Sequence, residues 1–226
     1  MINPLGRLEG GLIVSCQAYP GEPLFDPDVM RRMAEAAVAG GAVGIRAKGL
    51  DDIRLIRAAV DVPVIGLVKV GSEGVYITPT VDHAVAVAAA GAGIVAIDGT
   101  RRPRPDGLDL AEVIATIHDR TDALVMADVG DLEDGLASAA AGADLISSTL
   151  AGYTGARPRS EGPDVDLVRD LASAVEVPVL AEGRIRTAEQ AGACLQAGAH
   201  AVVVGTAITY PTSITRWFVD ALHEEI

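Results

Sequence analysis

A short pattern, in which an alanine-rich stretch runs through glycine into branched apolar residues, occurs four times in the chain. The four copies are AGGAVGIRAK at 39–48, AAGAGIVAID at 89–98, AAGADLISST at 140–149 and QAGAHAVVVG at 196–205. Glycine supplies the left-handed residue that ends a helix, and the Val/Ile run that follows is short enough for a strand buried on both faces. Each copy therefore predicts a helix end followed by a buried strand.

The spacing of this repeat shows that it marks only every second strand. Its second glycines, at 41, 91, 142 and 198, lie 50, 51 and 56 residues apart, which is about twice the length of one strand-helix unit. Apolar runs at 61–69, 121–129 and 176–183 fill the intervals, and GGLIVSC at 10–16 precedes them. Eight short strands are therefore predicted, beginning near positions 11, 43, 63, 93, 123, 144, 178 and 201.

Amphipathic or alanine-rich segments with Asp or Thr at their starts lie between the strands and predict helices. Examples are DPDVMRRMAEAAVAG and TAEQAGACLQAG. Eight such units in 226 residues, about 28 residues each, predict an α/β fold of the (β/α)8 TIM-barrel type. A doubly wound open sheet is the alternative, but it requires neither eight even units nor this recurrence. No linker or low-complexity segment divides the chain, so one domain over residues 1–226 is expected.

Charge and cysteine content restrict the partners and the compartment. The chain carries 18 Lys and Arg against 31 Asp and Glu, a formal net charge of −13, so nucleic acid is not an expected partner. A small anionic substrate is compatible with this net charge, because its binding needs only local positive charge. Cys16 and Cys194 form no disulfide framework. The sequence has no signal-peptide pattern, and its longest small-apolar stretch, 84–97, is too short for a bilayer. We expect a cytoplasmic protein without a membrane partner.

Polar residues collect where the predicted strands end. In a (β/α)8 barrel the carboxyl ends of the strands and the loops after them form the active-site mouth. An ion-pair network capping the barrel is the plain structural alternative, in which Asp98 and Asp128 cap helices and Arg46 is a counter-ion. Buried unpaired charge is costly, so these groups must meet water, each other or a ligand. The residues are Gln17, Arg46, Lys48, Lys69, Asp98, Asp128, Ser147, Ser148, Thr149, Glu182, Arg184, Gly205 and Thr206.

Three of these strand ends, those of the third, seventh and eighth strands, carry further information. Lys69 follows the apolar run VIGLV and is predicted to point into the barrel, where a lysine can act as a base or form an imine. The loops after strands seven and eight commonly bind phosphate. There, Gly183 and Gly205 let backbone N–H groups approach an anion, while Arg184 and Thr206 add donors; tight turns are the alternative interpretation of these glycines.

No resident metal or cofactor is expected. The four histidines lie in predicted helices or helix-to-strand turns rather than at strand ends, so no His/carboxylate cluster faces the mouth. The chain also has no dinucleotide-binding fingerprint in a strand-turn-helix context.

With these residues in place, the chain resembles the N-acetylmannosamine-6-phosphate 2-epimerase family of bacterial sialic-acid and amino-sugar catabolism. The resemblance implies a (β/α)8 barrel that interconverts N-acetylmannosamine 6-phosphate and N-acetylglucosamine 6-phosphate without a metal or cofactor. It runs from about Leu12 to Phe218. It rests on the ordered segments LIVSCQAYPGEPL, GIRAKG, IGLVK, YITPT, AIDGTRRPRP, MADV, STLAGYT, AEGRI, VVGTAITYP and ITRWF.

The resemblance also implies a role for each matching position. Lys69 and Glu182 correspond to the family's catalytic lysine and catalytic carboxylate. The implied substrate-positioning residues are Gln17, Arg46 and Asp128, and the implied phosphate-site residues are Gly183, Arg184 and Gly205.

Two positions depart from the family pattern. Tyr210 stands where an arginine is expected, and Val70 stands where an arginine usually follows the lysine. A phosphate site without one guanidinium lacks a bidentate partner. Arg184 and Arg216 are the candidates to compensate.

The implied reaction inverts C2 by removing a proton alpha to the C1 carbonyl and returning one to the opposite face. Lys69 is the expected base, Glu182 or Lys69 itself the acid, and Arg46 or Gln17 the group that polarises the carbonyl. A Schiff-base aldolase that uses Lys69 and a non-catalytic sugar-phosphate-binding barrel are the alternatives. The apolar segment ITRWFVDAL at 214–222 offers a surface for a homodimer, or packs on its own barrel.

Overall fold

Eight parallel strands close into one barrel in chain order in the computed structural model, which describes residues 4–223. Strand β8 pairs with β1 from Leu12↔Val202 to Val14↔Val204, which closes the sheet. The predicted (β/α)8 barrel is confirmed as a single domain; the predicted limits, residues 1 and 226, lie outside the described part. The strands are β1 (Leu12–Cys16), β2 (Gly44–Lys48), β3 (Val64–Leu67), β4 (Ile94–Asp98), β5 (Leu124–Asp128), β6 (Leu145–Ser147), β7 (Val179–Glu182) and β8 (Ala201–Val204).

Helices connect the strands and surround the barrel. Most begin at an Asp or Thr whose side chain accepts a backbone N–H, as Asp26, Thr80 and Thr187 do. A 3-10 turn, Ser148–Leu150, follows β6 directly. The helices are α1 (Pro4–Leu8), α2 (Pro27–Ala39), α3 (Leu50–Ala59), α4 (Val81–Ala89), α5 (Leu110–Arg120), α6 (Leu132–Ala140), α7 (Val165–Ala174), α8 (Ala188–Gln196), α9 (Thr206–Thr209) and α10 (Pro211–His223). None of these helices has the length and apolar character needed to cross a membrane.

The second glycine of each repeat has the left-handed backbone that the pattern predicts. The φ angles of Gly41, Gly91, Gly142 and Gly198 are 101°, 108°, 96° and 102°. Residues with a Cβ rarely adopt such angles, so glycine ends the helix here at the lowest conformational cost. The chain can then turn directly into the next strand.

Side chains on the inner face fill the barrel below the polar ends of its strands. Inward positions alternate along each strand, so that in β5 Met126 belongs to the interior apolar cluster and Asp128 lies two residues further on. The same period runs from Leu180 to Glu182 in β7. The intervening residues pack against the helices in a second, larger cluster. An apolar plug therefore supports one polar layer at the carboxyl end of the barrel.

Candidate active site

A cavity of about 670 Å³ lies at the carboxyl-terminal end of the barrel. Of the nine predicted site residues, only Asp128 does not line it, because its side chain lies beneath the cavity floor with no exposed surface. The predicted residues that line it are Gln17, Arg46, Lys69, Glu182, Gly183, Arg184, Gly205 and Thr206.

Arg46 forms the floor of the cavity and joins two carboxylates. Its side chain is 1% exposed, and its Nη1 and Nη2 atoms lie 3.0 and 2.5 Å from the two carboxylate oxygens of Asp128. Nη1 also lies 2.5 Å from Glu182 Oε2. Thr149 Oγ1 donates to Asp128 at 2.7 Å and is 3.1 Å from Glu182 Oε2. One guanidinium thus holds carboxylates from β5 and β7 in fixed positions, with bidentate geometry toward Asp128.

The surroundings of Glu182 favour its protonated form. Burial raises the pKa of Glu182, and the neighbouring charge of Asp128 raises it further, while Arg46 and the hydrogen bond from Thr149 oppose the shift. Its side chain keeps 13% exposure toward the cavity. A carboxyl group with a raised pKa beside a cavity keeps its proton to a higher pH than an ordinary glutamate and can act as a proton donor there.

Lys69 is positioned by a short hairpin after β3. The backbone of Lys69 forms an antiparallel bridge with Ile77, and Thr78 N donates to Val68 O at 2.8 Å. Thr78 has a φ of 43°, an unusual angle for a β-branched residue that the surrounding hydrogen bonds maintain. Its Oγ1 accepts from Val68 N at 3.2 Å. The hairpin therefore fixes the point from which the lysine side chain enters the cavity.

The ammonium group of Lys69 contacts the loop between β1 and α2. Its Nζ donates to Tyr19 Oη at 2.7 Å. The chain has only two lysines, and the other, Lys48, stacks on the same ring, with its Nζ 4.1 Å from the centroid. Lys48 also donates to the carbonyl of Ala18, which ties the loop to β2. Tyr19 thus lies between both lysines of the protein.

The loops after β7 and β8 form the opposite wall. Gly183 has a φ of 110° and Arg184 a φ of 56°, so the backbone turns sharply toward the cavity. A Cβ on Gly205 would lie 3.2 Å from the Cβ of Ser15, which explains glycine there by close approach. Gln17 lies nearby, with its Nε2 donating to Ser15 Oγ at 2.9 Å.

The structure excludes three of the alternative roles that the sequence left open, helix capping by Asp98 and by Asp128 and phosphate binding by Arg216. Neither Asp98 nor Asp128 caps a helix, because Asp109 and Asp131 cap α5 and α6. Asp98 is buried and accepts hydrogen bonds from the Thr100 backbone and hydroxyl and from a guanidinium in its own loop, outside the cavity. The sequence suggested Arg46 as a counter-ion, and the structure shows this pairing for Asp128. Arg216 is exposed and does not line the cavity, so it does not replace a missing phosphate ligand.

The cavity gathers most of the aromatic residues of the chain, and sequence analysis missed this. It is lined by all four tyrosines and the only tryptophan, in a chain that is 3% aromatic. Aromatic rings provide rigid apolar faces with polar edges, which suit a polar organic ligand. Their positions are far apart in the sequence, so no local motif reveals the cluster; only their scarcity could have drawn attention. They are Tyr19, Tyr76, Tyr153, Tyr210 and Trp217.

Among residues 4–223, no group of three or more His, Cys, Asp or Glu side chains is arranged to hold a metal ion. Three of the four histidines are engaged elsewhere: His83 with Thr80, His118 with Asp144, and His200 with the carbonyl of Leu5. That the protein works without a metal or cofactor stays a prediction.

These features define the class. A parallel (β/α)8 barrel carries, at the carboxyl ends of its strands, a lysine, a protonatable glutamate and an arginine-containing wall around a cavity sized for a small polar molecule, the arrangement typical of barrel enzymes that act on phosphorylated metabolites.

Comparison with known proteins gives the family. The family model described as "Putative N-acetylmannosamine-6-phosphate epimerase" matches residues 30–224. A Cutibacterium acnes protein named "Putative N-acetylmannosamine-6-phosphate 2-epimerase" is 57% identical over 220 residues, 96% of each chain. A Caldanaerobacter subterraneus protein of the same name is 52% identical, over 96% of this chain and 93% of its own. The chain belongs to the N-acetylmannosamine-6-phosphate epimerase family, as its sequence motifs indicated.

Solved structures agree with this assignment. The N-acetylmannosamine-6-phosphate 2-epimerase from Clostridium perfringens superposes with a TM-score of 0.93 at 39% identity, over 97% of this chain and 96% of that one. The thiamine phosphate pyrophosphorylase from Pyrococcus furiosus, at 19% identity and a TM-score of 0.62 over 92% and 90% of the two chains, shares the fold alone.

Replacing Arg46 tests the floor of the site. Arg46→Met leaves the buried Asp128 carboxylate and the Glu182 carboxyl group without the cation that contacts both, so the free energy of unfolding at pH 7.5 should fall by about 3–5 kcal/mol. A carboxyl group whose pKa is raised on folding stabilises the native state as the pH falls, so the deficit should shrink between pH 7.5 and pH 5.5. Urea denaturation at both pH values measures it.

Arg54→Met is the matched control, since Arg54 pairs with Asp51 at an exposed site. This substitution should lower the free energy of unfolding by less than about 1 kcal/mol. Equal losses for the two variants, or a deficit at Arg46 that does not change with pH, would contradict the assigned network.

Proposed function

We propose that the protein is an isomerase that interconverts N-acetylmannosamine 6-phosphate and N-acetylglucosamine 6-phosphate in the breakdown of sialic acid and related amino sugars. The observation that carries this proposal is the meeting of Lys69, Glu182 and an arginine-containing wall in one cavity of a chain that belongs to the epimerase family. The substrate has matching parts: an acidic C–H beside a carbonyl, and a phosphate at the far end.

Lys69 is the proposed base. In its neutral form its Nζ accepts the proton from C2 of the open-chain sugar, and the C–H electron pair forms a C1=C2 double bond with negative charge on O1. Return of a proton to the other face of C2 restores the carbonyl with inverted configuration. The hairpin and the Tyr19 hydroxyl hold this side chain at the cavity, as proton transfer at a defined carbon requires.

Glu182 is the proposed acid. Its pKa is raised by burial, so it holds a proton at a pH where an ordinary glutamate is ionised, and can deliver it to the intermediate. Lys69 and Glu182 line the same cavity, which supports their action on a shared substrate. Alternatively, Lys69 returns the proton itself.

Gln17 is better placed than Arg46 to polarise the C1 carbonyl. Both Nη atoms of Arg46 donate to Asp128, Glu182 or Thr149, and its Nε, which has no partner among the described residues, is buried. Arg46 therefore positions Glu182, while the half-buried amide of Gln17 lines the cavity and can stabilise the charge that develops on O1.

Incubation with N-acetylmannosamine 6-phosphate in heavy water tests the proposed reaction directly. Because the C2 proton is exchanged during each inversion, deuterium should enter C2 of both epimers, and NMR should follow the disappearance of the C2–H signal. Conversion without exchange would contradict proton transfer at C2. If borohydride trapped a substrate adduct on Lys69, the Schiff-base aldolase would be favoured; binding without turnover would favour a non-catalytic barrel.

Lys69→Ala should lower kcat/KM by about 10²- to 10⁴-fold, the contribution of one positioned base, which corresponds to about 3–5 kcal/mol of transition-state stabilisation. Steady-state kinetics on folded protein measures the loss. Lys48→Ala is the control, because it removes the same charge but leaves the proposed base, Lys69, in place. The decrease in kcat/KM should therefore be far smaller in Lys48→Ala than in Lys69→Ala. Near wild-type activity in folded Lys69→Ala or Glu182→Ala would contradict the assigned roles.

We also propose a homodimer formed through α10. This helix has no buried residue, and its apolar side chains Phe218 and Leu222 are 70% and 73% exposed, as at an interface. Sedimentation velocity should give twice the chain mass, with dissociation in Leu222→Glu; a monomer at micromolar concentration would contradict this. A cytoplasmic location and the absence of nucleic-acid partners stay predictions from the sequence.

A further inference from the structure

Three arginines line one wall of the cavity, and the charge of one of them, Arg184, also lowers the pKa of the nearby Asp164 carboxyl group. Arg159, Arg184 and Arg186 all border it. Within residues 4–223, none of the three lies within ion-pair distance of a carboxylate, whereas Arg157 in the same region pairs with Asp164. Such a group of guanidiniums is unexpected in a chain of charge −13, and it makes the wall complementary to an anionic ligand.

The three guanidiniums are held in different ways. Arg184 donates to the carbonyls of Gly162 and Ala151 at 3.0 and 2.8 Å, and to Ser160 Oγ at 3.1 Å. These bonds tie the β7–α8 loop to the loop after β6, so Arg184 is largely engaged in positioning the wall. Arg159 stacks on Tyr153, 5.1 Å from the ring centroid.

Arg186 is held by an aromatic face alone. Its guanidinium carbon lies 4.7 Å from the ring centroid of Trp217, and no side-chain hydrogen bond joins it to another described residue. Its backbone N–H donates to Gln190 Oε1 at 2.7 Å, which fixes the start of the side chain. Stacking orients the guanidinium plane and leaves its edge, with all five N–H groups, open to a ligand.

We propose that Arg186, seated on Trp217, binds the phosphate monoester of the substrate and determines the preference for phosphorylated sugars. This inference rests on the proposed function, since it concerns the same cavity. Tyr210, which lines the cavity beside this wall, carries no positive charge, so the guanidinium of Arg186 supplies the cation that position 210 does not. A bidentate guanidinium-phosphate pair is strong and directional, and the indole ring reduces the entropy lost when it forms.

Arg186→Gln should raise KM for N-acetylmannosamine 6-phosphate about 10- to 100-fold, the effect of losing a charge-assisted hydrogen-bonded pair, while kcat changes less than about 3-fold, because the phosphate is bound equally in the ground and transition states. The inhibition constant of inorganic phosphate should rise in parallel. Arg186→Lys should recover part of the affinity, and Trp217→Leu should give a smaller increase in KM. Turnover of unphosphorylated N-acetylmannosamine should not change.

Arg216→Gln is the matched control. It removes the same charge one residue from Trp217 but outside the cavity, so KM should stay within about 2-fold of the wild-type value. Arg159→Gln distinguishes the contribution of Arg159, which lies over Tyr153, from that of Arg186, which lies over Trp217. If Arg159→Gln weakens phosphate binding and Arg186→Gln does not, the proposal is overturned.

Calorimetric titration with inorganic phosphate separates this proposal from the proposed function. If the wild-type protein binds phosphate, Arg186→Gln weakens that binding, and no epimerisation occurs, then the reaction assignment fails and the role of Arg186 stands. If epimerisation occurs and Arg186→Gln keeps the wild-type KM and phosphate affinity, the role of Arg186 fails and the reaction assignment stands.

Discussion

The site depends on one buried interaction, the contact of the Arg46 guanidinium with Asp128 and Glu182. It joins β2, β5 and β7 across the inside of the barrel, so it exists only when the sheet closes in the observed register. One cation shared by two buried carboxylates also leaves an excess of negative charge. That excess, together with burial, raises the pKa of Glu182, as its proposed role as an acid requires.

Positively charged side chains lie on two sides of the cavity above Arg46, and they are held in different ways. On one side the lysine at 69 is restrained by a tyrosine hydroxyl and a backbone hairpin. On the other, Arg159 and Arg186 rest on aromatic rings and form no ion pair with a carboxylate of residues 4–223. A protein with 31 acidic residues can place a counter-ion beside almost any cation. Leaving these guanidiniums unpaired keeps the wall available to an anionic ligand.

The architecture and the positions of the polar strand ends were predictable because they follow local rules. Helix-ending glycines and short branched-apolar runs recur along the chain, and their spacing leads to eight strands. Inward side chains alternate with a period of two, so the residue two positions beyond an interior apolar one, as Glu182 follows Leu180, must reach the mouth. Eight of the nine predicted site residues accordingly meet in one cavity, although their individual roles stay predictions.

The sequence indicated where the charged residues lie, but not which side chains they contact. Asp98 and Asp128 occupy equivalent ends of neighbouring strands and pair directly in the sheet register. Yet one is held by its own loop and the other by an arginine 82 residues away. Nothing local distinguishes them. The contact of Arg186 with Trp217 likewise joins the β7–α8 loop to α10, and only the path of the chain brings the two residues together.

The sequence by itself determined the eight-unit barrel, the family, and which residues stand at the carboxyl ends of the strands, because these follow from backbone geometry and short-range periodicity. The tertiary structure alone decided which charges neutralise each other, which guanidiniums stay open, and where the scarce aromatic rings gather. Those outcomes depend on distances between side chains far apart in the chain, and electrostatic and stacking energies change within a few ångströms. A linear pattern contains no such distances.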